Sequence, residues 1–314
     1  MPRPIVFMSS VWDPKLWTQH MLALNPALDI RLFPDAAEPE DDIHYAVVWR
    51  PPHGALKTFR NLRCVFALGA GVDAIVSDPD YPRHVPLSRM IDDTLTQAMT
   101  EYVVLHVLHN HRRQRDFDAL QRLKKWRYLS VKRADEVRVG ILGFGVLGQD
   151  AARALKPLGY QLAGWSQSPK SVEGVESFSG AGGLAPFLQR TDILVCLLPL
   201  TPDTRGILNR ANLSMLPKGA SIVNAARGGH MVPDDILALL DEGHLSGASL
   251  DVFEPEPLPE DSRFWTHPRV TVTPHAAAAT DPRAIAAHVV STIEAMERGE
   301  APSARHLVDL AKGY

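Results

Sequence analysis

Short apolar runs alternate with segments of helical periodicity in the N-terminal third of the chain. The apolar runs predict strands at residues 4–8, 30–33, 45–49, 64–68 and 85–89. Between the first two runs, Asp13 and Pro14 favour a helix start, because aspartate caps a first turn and proline fits its first position. Strands that alternate with helices in this way predict a small parallel α/β unit.

The same alternation returns after residue 137. Six further apolar runs predict strands at residues 137–142, 160–166, 192–198, 220–226, 247–252 and 270–273. With right-handed crossovers between them, these strands predict a doubly wound parallel sheet of the Rossmann type. A last helix, at residues 281–298, comes too late for this sheet and is expected to return to the N-terminal unit. The 314 residues are enough for two domains.

A long helix is predicted to begin near residue 94. Thr94, Leu95, Thr96 and Gln97 have the Ser/Thr-x-x-Glu/Gln form of a capping box. The residues expected on its buried face are Leu95, Met99, Tyr102, Val103, His106 and Val107. Because this helix carries more apolar residues than one buried face requires, we expect it to lie in the interface of a homodimer.

Composition and charge limit the classes of partner. The net charge of −3, with 45% hydrophobic residues, is typical of a globular protein and argues against nucleic acid as the main partner. The basic residues between Arg112 and Arg127 could form a nucleic-acid patch or a solvated helix face, and interleaved acidic residues favour the second. Cys64 and Cys196 fall in apolar runs without metal-ligand spacing, and no metal is expected. No apolar run has the length of a membrane span, so we expect a soluble cytoplasmic protein.

Gly143, Gly145 and Gly148 form a specific motif. They have the spacing G-x-G-x-x-G after the strand at residues 137–142, and a helical pattern and a second strand follow. Gly143 permits a tight turn, Gly145 removes a side chain where a pyrophosphate approaches, and Gly148 lets helix and strand pack closely. The helix N-terminus offers N–H groups to phosphates, so the unit predicts dinucleotide binding. A purely structural glycine turn is the alternative, and the flanking elements argue against it.

The end of the second strand in this unit predicts which dinucleotide binds. NAD-specific units place an Asp or Glu there to bind the ribose 2′-hydroxyl. Here no carboxylate occurs between Trp165 and Lys170, and the polar residues are Ser166, Gln167, Ser168 and Lys170. Their hydroxyls, amide and amine can bind a 2′-phosphate, so we expect NADP as the preferred cofactor and NAD as the alternative. A solvated turn with Lys170 directed away is the competing interpretation.

Three polar residues follow three late strand ends, the edge where open parallel sheets bind ligands. Arg227 follows the strand at residues 220–226, Glu256 comes shortly after the next strand, and His275 follows the last. Each residue alone could be ordinary. Together they suit the reduction of a 2-keto acid: an arginine holds the carboxylate, a histidine supplies a proton, and a glutamate orients that histidine. We therefore predict Arg227, Glu256 and His275 as catalytic residues.

Several motifs together resemble the D-isomer-specific 2-hydroxyacid dehydrogenases. They are the glycine motif, Asn224-Ala225-Ala226-Arg227-Gly228, the stretch from Asp251 to Leu258, and Pro274-His275. Three further stretches resemble, more narrowly, the subgroup that reduces glyoxylate and hydroxypyruvate. They are Trp49-Arg50-Pro51-Pro52, the stretch from Phe66 to Asp73, and Gly313-Tyr314. The resemblance covers essentially the whole chain and implies an NAD(P)-dependent oxidoreductase.

The resemblance also implies roles for individual residues. Arg227 would bind the substrate, His275 would be the acid and base, and Glu256, chosen over Glu254, would be its partner. Beyond the residues named above, the implied cofactor-binding set is Val146, Leu147, Leu198, Pro199, Ala225, Ala226 and Asp251, the last at the nicotinamide carboxamide. The implied substrate-binding set, besides Arg227, is Trp49, Arg50, Ala70 and Gly71, of which the last two would offer N–H groups to a carboxylate.

The domain organisation implied by the resemblance is a split one. A smaller flavodoxin-like α/β substrate domain would comprise residues 1–93, completed by residues 283–314, and the dinucleotide-binding domain would comprise residues 94–282. The long helix near residue 94 is where such proteins form their dimer. The C-terminal segment would thus complete the domain that the N-terminus begins.

The expected activity is NAD(P)H-dependent reduction of small 2-keto acids, glyoxylate and hydroxypyruvate, to glycolate and D-glycerate. One alternative is an NAD-dependent dehydrogenase of a bulkier D-2-hydroxy acid. A second is a dinucleotide-sensing binding protein, which the fold alone does not exclude. The joint presence of Arg227, Glu256 and His275 favours an enzyme.

Overall fold

The computed structural model describes residues 3–9, 12–34 and 40–313, so Tyr314 lies outside the described residues. The chain divides into two compact units. The first comprises Met1–Leu95 and Thr280–Tyr314, and the second comprises Thr96–Ala279.

Strands and helices alternate along most of the chain. In the described part the strands are β1 (Ile5–Ser9), β2 (Ile30–Leu32), β3 (Tyr45–Trp49), β4 (Cys64–Ala67), β5 (Leu87–Ser88), β6 (Arg138–Leu142), β7 (Gln161–Ser166), β8 (Val175–Ser179), β9 (Ile193–Cys196), β10 (Ala220–Asn224), β11 (Leu245–Leu250) and β12 (Val270–Val272). The α-helices are α1 (Pro14–Leu24), α2 (Asp73–Val76), α3 (Asp93–His111), α4 (Gln114–Arg122), α5 (Val146–Leu155), α6 (Gly180–Gln189), α7 (Arg210–Leu213), α8 (Pro233–Asp241), α9 (Arg263–Thr266) and α10 (Pro282–Glu297).

The first unit is built on a parallel sheet with the order β2-β1-β3-β4-β5. Numbered along the chain, this is the order 2-1-3-4-5 of flavodoxin-like folds, as predicted. On one face, Trp17 and Met21 of α1 and Val289 and Ile293 of α10 share a core with strand residues such as Phe66. The C-terminal helix therefore completes the core of the unit that the N-terminus begins.

The second unit contains a parallel sheet with the order β12-β11-β10-β9-β6-β7-β8. From β8 to β11 this is the Rossmann order 3-2-1-4-5-6, which confirms the predicted doubly wound fold. The prediction of six strands was wrong, because β8 forms a further edge strand beside β7. The residues of β8 are half-buried or exposed, as is common at the edge of a sheet. The helix that follows it, α6, begins with glycines and contains Pro186, so neither element has a strong hydrophobic pattern.

The start of α3 differs from the predicted capping box. The helix begins at Asp93, and the Asp92 carboxylate accepts a hydrogen bond of 2.9 Å from the Thr94 backbone N–H. Aspartate is the stronger N-cap, and it lies two residues before the predicted Thr94 cap. The Gln97 side-chain amide instead donates to Glu101, 3.0 Å away, along the helix surface. All six residues predicted for the buried face are buried.

Most of the basic residues after α3 are exposed, but Arg115 of α4 is not on a solvated face. Its Nη2 atom donates to the Ala248 carbonyl at 2.8 Å and to the Ser249 hydroxyl at 2.7 Å, and its Nε atom donates to Thr271 at 3.0 Å. Burial lowers the pKa of Arg115 to about 10. Arg115 therefore ties α4 to β11 and β12, which corrects the expectation of a uniformly solvated face.

Both cysteines are free and buried, in β4 and β9 respectively. Burial raises the pKa of each thiol, so both stay neutral near physiological pH. Among the residues that the structure describes, no helix combines the length and the apolar character that crossing a membrane requires.

Candidate active site

The glycine turn lies between β6 and α5. Gly143 has a φ of +108°, and a Cβ atom on it would lie 2.5 Å from the Leu197 carbonyl carbon, so only glycine fits. A Cβ atom on Gly148 would lie 2.4 Å from the Gly143 oxygen, because helix and turn are in contact there. At Gly145 a Cβ atom would meet no heavy atom within 4 Å. The turn is thus tightly packed on its inner side and open at Gly145.

The N-terminus of α5 fits a phosphate group. Gly145 is its N-cap and no side chain caps it, so its first-turn N–H groups lack the intrahelical partners that later turns have. Val146 is 61% exposed at the first position, and Leu147 is half-buried. The open space at Gly145 and the dipole of α5 together make this end of the helix suited to an anion.

The turn after β7 also fits a dinucleotide with a 2′-phosphate. Ser166 is half-buried at the strand end, and its hydroxyl donates to the Ser168 carbonyl at 2.7 Å. Gln167, Ser168 and Lys170 are exposed. The turn presents neutral and cationic groups without a carboxylate, so nothing in it repels a second phosphate.

The ends of β9 and β10 contribute four further residues of the predicted cofactor set, Leu198, Pro199, Ala225 and Ala226. Leu198 follows β9, and its backbone N would lie 2.6 Å from a Cβ atom on Gly143. Ala225 and Ala226 follow β10 and are buried, and the Ala226 N–H donates to the Asn224 side chain at 3.1 Å. Both strand ends thus lie at the carboxyl edge of the sheet, and the β9 end adjoins the glycine turn.

His275 and Glu256 form a direct pair. The Nδ1 atom of His275 lies 2.9 Å from Oε2 of Glu256, and the other Glu256 oxygen accepts the Phe253 N–H at 3.0 Å. The histidine side chain is 35% exposed, whereas that of the glutamate is 15% exposed. When Nδ1 donates to the carboxylate, Nε2 is the nitrogen that remains for proton exchange.

The two neighbouring glutamates have different partners. Glu254 forms an exposed ion pair with Arg205, with 2.6 Å between the closest atoms. Glu256 is instead directed to His275. Of the two carboxylates, only the one selected from the sequence has the geometry to orient the imidazole.

The backbone of His275 is held in an uncommon conformation. Its φ is +54°, a region that residues with a side chain rarely adopt. The His275 N–H donates to the Asp251 carbonyl at 2.7 Å, and the Asp251 carboxylate accepts from Thr273 Oγ1 at 2.6 Å and from the Ala276 and Ala277 N–H groups at 2.8 and 3.0 Å. Asp251 therefore anchors the loop that carries the histidine.

This anchoring role was not anticipated from the sequence. Asp251 is 1% exposed, and three of the roughly four lone-pair positions of its carboxylate are occupied by internal donors. Tyr102 extends the network, because its hydroxyl lies 2.8 Å from the Thr273 hydroxyl, and burial raises the pKa of Tyr102. The contact of Asp251 with a nicotinamide carboxamide stays a prediction.

Arg227 lies on the loop after β10. Its carbonyl accepts hydrogen bonds from the Asn224 side chain, 3.0 Å away, and its Nη1 atom donates to the Ala226 carbonyl at 2.7 Å. A Cβ atom on Gly228 would lie 2.0 Å from the Phe253 carbonyl carbon, so this loop touches the start of the loop that carries Glu256. The structure thus brings the loops of Arg227, Glu256 and His275 to one edge of the second unit.

Four predicted substrate-binding residues belong to the first unit, where they lie at or after the ends of β3 and β4. Trp49 ends β3, and a Cβ atom on Gly69 would lie 2.6 Å from its ring. Arg50 has a φ of +49°, and Ala70 and Gly71 come three and four residues after the end of β4, at the carboxyl edge of this sheet. The sequence did not reveal that the Trp49 ring stacks on Trp12, with centroids 4.6 Å apart and an interplanar angle of 15°.

Comparison with known proteins assigns the fold and the motifs to one family. The model of the D-isomer specific 2-hydroxyacid dehydrogenase, NAD binding domain, matches residues 104–277. The chain belongs to the D-isomer specific 2-hydroxyacid dehydrogenase family. The family expected from the sequence motifs is therefore confirmed.

Named relatives and solved structures are similar over the full length. The glyoxylate/hydroxypyruvate reductase A of Serratia proteamaculans (strain 568) is 42% identical over 317 residues, which cover 99% of each chain. A D-isomer specific 2-hydroxyacid dehydrogenase from Xanthobacter autotrophicus Py2, solved with NADPH and MES, is 40% identical, with a TM-score of 0.92 and 100% coverage of both chains. An NADPH-dependent glyoxylate/hydroxypyruvate reductase from Sinorhizobium meliloti, solved with NADP and sulfate, is 44% identical, with a TM-score of 0.91 and coverage of 99% of this chain and 100% of that chain.

Proposed function

We propose that this protein reduces glyoxylate and hydroxypyruvate to glycolate and D-glycerate with NADPH. The observation that carries the proposal is the pair of His275 and Glu256, 2.9 Å apart, with the loop of Glu256 in contact with the loop of Arg227. A proton donor with its orienting carboxylate and a guanidinium are the groups that reduction of a 2-keto acid requires. The names of relatives that are about 42% identical over the full length support the choice of substrates.

Each of the three residues has a separate chemical task. Arg227 binds the substrate carboxylate and polarises the keto oxygen through the planar fork of its guanidinium. The protonated Nε2 atom of His275 donates its proton to that oxygen as the alcohol forms. Glu256 holds Nδ1, which fixes the direction of the ring. When bound, NADPH supplies the hydride.

The cofactor is proposed to be NADPH rather than NADH. The open glycine at position 145 and the uncapped N-terminus of α5 suit the pyrophosphate, and the turn from Ser166 to Lys170 suits the 2′-phosphate. The solved relatives with NADPH and with NADP support the same preference. NAD remains the alternative cofactor that a kinetic comparison must test.

The two units are proposed to have different tasks. Thr96–Ala279 would be the dinucleotide-binding domain, since it contains the glycine turn and the whole of the matched family segment. The other unit would be the substrate domain, in which the N–H groups of Ala70 and Gly71 receive the carboxylate and Trp49 and Arg50 line the pocket. The positive φ of Arg50 is of the kind that concentrates at binding sites.

A homodimer is the proposed form of the protein. Leu105, on α3, is 60% exposed, and the segment after α4 exposes Leu123, Trp126 and Tyr128 by 62%, 102% and 87%. Large apolar side chains that are exposed close together in sequence are typical of an interface.

Two buried free cysteines fit a reducing compartment, and we place the protein in the cytoplasm.

A panel of 2-keto acids assayed with NADPH and with NADH tests the proposed function. We expect the highest kcat/KM for glyoxylate and hydroxypyruvate with NADPH. A higher kcat/KM for bulkier 2-keto acids with NADH would instead support a dehydrogenase of another D-2-hydroxy acid. Binding of NADPH without turnover of any keto acid would support a dinucleotide-sensing protein.

A further inference from the structure

His230 is fully buried and its ring lies between two strand-end loops of the second unit. Its Nδ1 atom is 3.2 Å from the Arg227 carbonyl oxygen, and its Nε2 atom is 3.2 Å from the Pro199 carbonyl oxygen. We propose that His230 is a positioning residue that holds the substrate-binding arginine with one ring nitrogen and the cofactor-side loop with the other. Both partners are carbonyl oxygens, so the ring donates to both at once only when each of its nitrogens carries a proton. This inference rests on the proposed function.

The contact with Arg227 acts through the backbone. The Arg227 carbonyl is approached by the Asn224 side-chain amide at 3.0 Å, by the His230 backbone N–H at 3.3 Å and by the His230 ring. Several donors that converge on one carbonyl fix the peptide from which the long arginine side chain extends. A small displacement of this peptide moves the guanidinium away from the position that a carboxylate requires.

The contact with Pro199 acts on the other side of the ring. The Pro199 carbonyl also accepts a hydrogen bond of 2.7 Å from the Thr204 hydroxyl, so two side chains hold it. Pro199 directly follows Leu198, whose backbone N packs against Gly143 of the glycine turn. The Nε2 contact therefore supports the segment that borders the proposed dinucleotide site.

Two substitutions separate these contacts. The amide nitrogen of asparagine takes the place of Nδ1, and that of glutamine takes the place of Nε2. His230→Asn therefore keeps a donor toward Arg227 and loses the one toward Pro199, while His230→Gln does the reverse. If His230 only filled space, the two substitutions would have the same effects on substrate binding and on cofactor binding.

The test measures KM for glyoxylate and, without any keto acid, the Kd for NADPH from quenching of tryptophan fluorescence. We expect His230→Gln to raise KM about 3- to 10-fold with little change in Kd, the effect of one hydrogen bond. His230→Asn should raise Kd by a similar factor with little change in KM. Equal changes in KM and Kd in the two variants, or no change in either, would overturn the proposal.

Three controls support this test. Thr204→Val removes the other donor to Pro199 and should resemble His230→Asn, which keeps the proposal testable if the histidine variants do not fold. His244, whose Nε2 atom lies 3.1 Å from the Leu213 carbonyl, is the matched control, and its Asn and Gln variants should leave KM and Kd unchanged. A wild-type protein that binds NADPH and does not reduce glyoxylate would count against the proposed function. If the His230 variants are active but do not affect KM and Kd separately, only the role of His230 is contradicted.

Discussion

At the scale of single residues, the proposed proton transfer depends on the pair of His275 and Glu256. His275→Ala should lower kcat by ~10²–10⁴, the usual contribution of a positioned acid, and should leave the Kd for NADPH nearly unchanged. Steady-state kinetics and a fluorescence titration measure the two effects. His267→Ala, which removes a histidine 3.3 Å from Asp241, is the control and should keep its turnover. Near wild-type turnover in His275→Ala would show that another group supplies the proton.

Arg227 differs from His275 because it is proposed to bind the substrate carboxylate in the ground state and, in addition, to polarise the keto oxygen in the transition state. Arg227→Lys should therefore raise KM and lower kcat together, for a loss in kcat/KM of about 10- to 100-fold, since an ammonium cannot reproduce the planar fork. Arg205→Lys, at the exposed ion pair with Glu254, is the matched control and should show wild-type kinetics. Unchanged kinetics in Arg227→Lys would remove this residue from the site.

At the scale of elements, the turn between β6 and α5 has to be both tight and open. Gly143→Ala introduces a Cβ atom 2.5 Å from the Leu197 backbone at a positive φ and should lower the free energy of unfolding by about 3 kcal/mol or more. Gly219→Ala is the matched control, because its φ of +88° imposes similar strain while its Cβ atom meets nothing within 4 Å. That variant should lose only about 1 kcal/mol. Equal losses, measured by chemical denaturation, would contradict the steric argument.

The turn after β7 should determine the choice of cofactor. Ser166→Asp places a carboxylate where a 2′-phosphate is proposed to bind and offers an acceptor to a 2′-hydroxyl. We expect kcat/KM with NADPH to fall about tenfold or more and the preference to change to NADH. Ser214→Asp adds the same charge at an exposed position after α7 and should leave the preference unchanged. Equal or better use of NADH by the wild-type protein would refute the NADPH preference.

At the scale of the whole molecule, exposed apolar side chains predict self-association. Light scattering at micromolar concentration should give twice the mass of one chain, because Leu105 and Trp126 would be buried in a homodimer. Leu105→Glu should shift the protein toward the monomer, whereas Leu16→Glu, at a position that is 49% exposed on α1, should not. A monomeric wild-type mass under these conditions would exclude the proposed interface.

The hydrophobic pattern predicted most of the two sheets but not all of their elements. Buried strands such as β3, at Tyr45–Trp49, are recognisable because every inner position of a parallel strand is apolar. The edge strand β8 and the glycine-rich α6 were missed, since an edge strand with half-exposed residues has little reason to be apolar. The start of α3 was misplaced because Asp92 and Thr94 are both good caps, and the chain uses the aspartate.

The sequence by itself determined the glycine turn, the missing carboxylate after β7 and the three polar residues at strand ends. These are local features, since each depends on residue types at a fixed spacing from one strand. Only the tertiary structure decided that Asp251 anchors the His275 loop, that Arg115 ties α4 to the sheet and that His230 joins two loops. Each of these contacts joins residues that are far apart in sequence or directs a buried polar group to a backbone carbonyl or N–H group. Every residue offers such backbone groups, so no pattern of residue types specifies which one a buried side chain will meet.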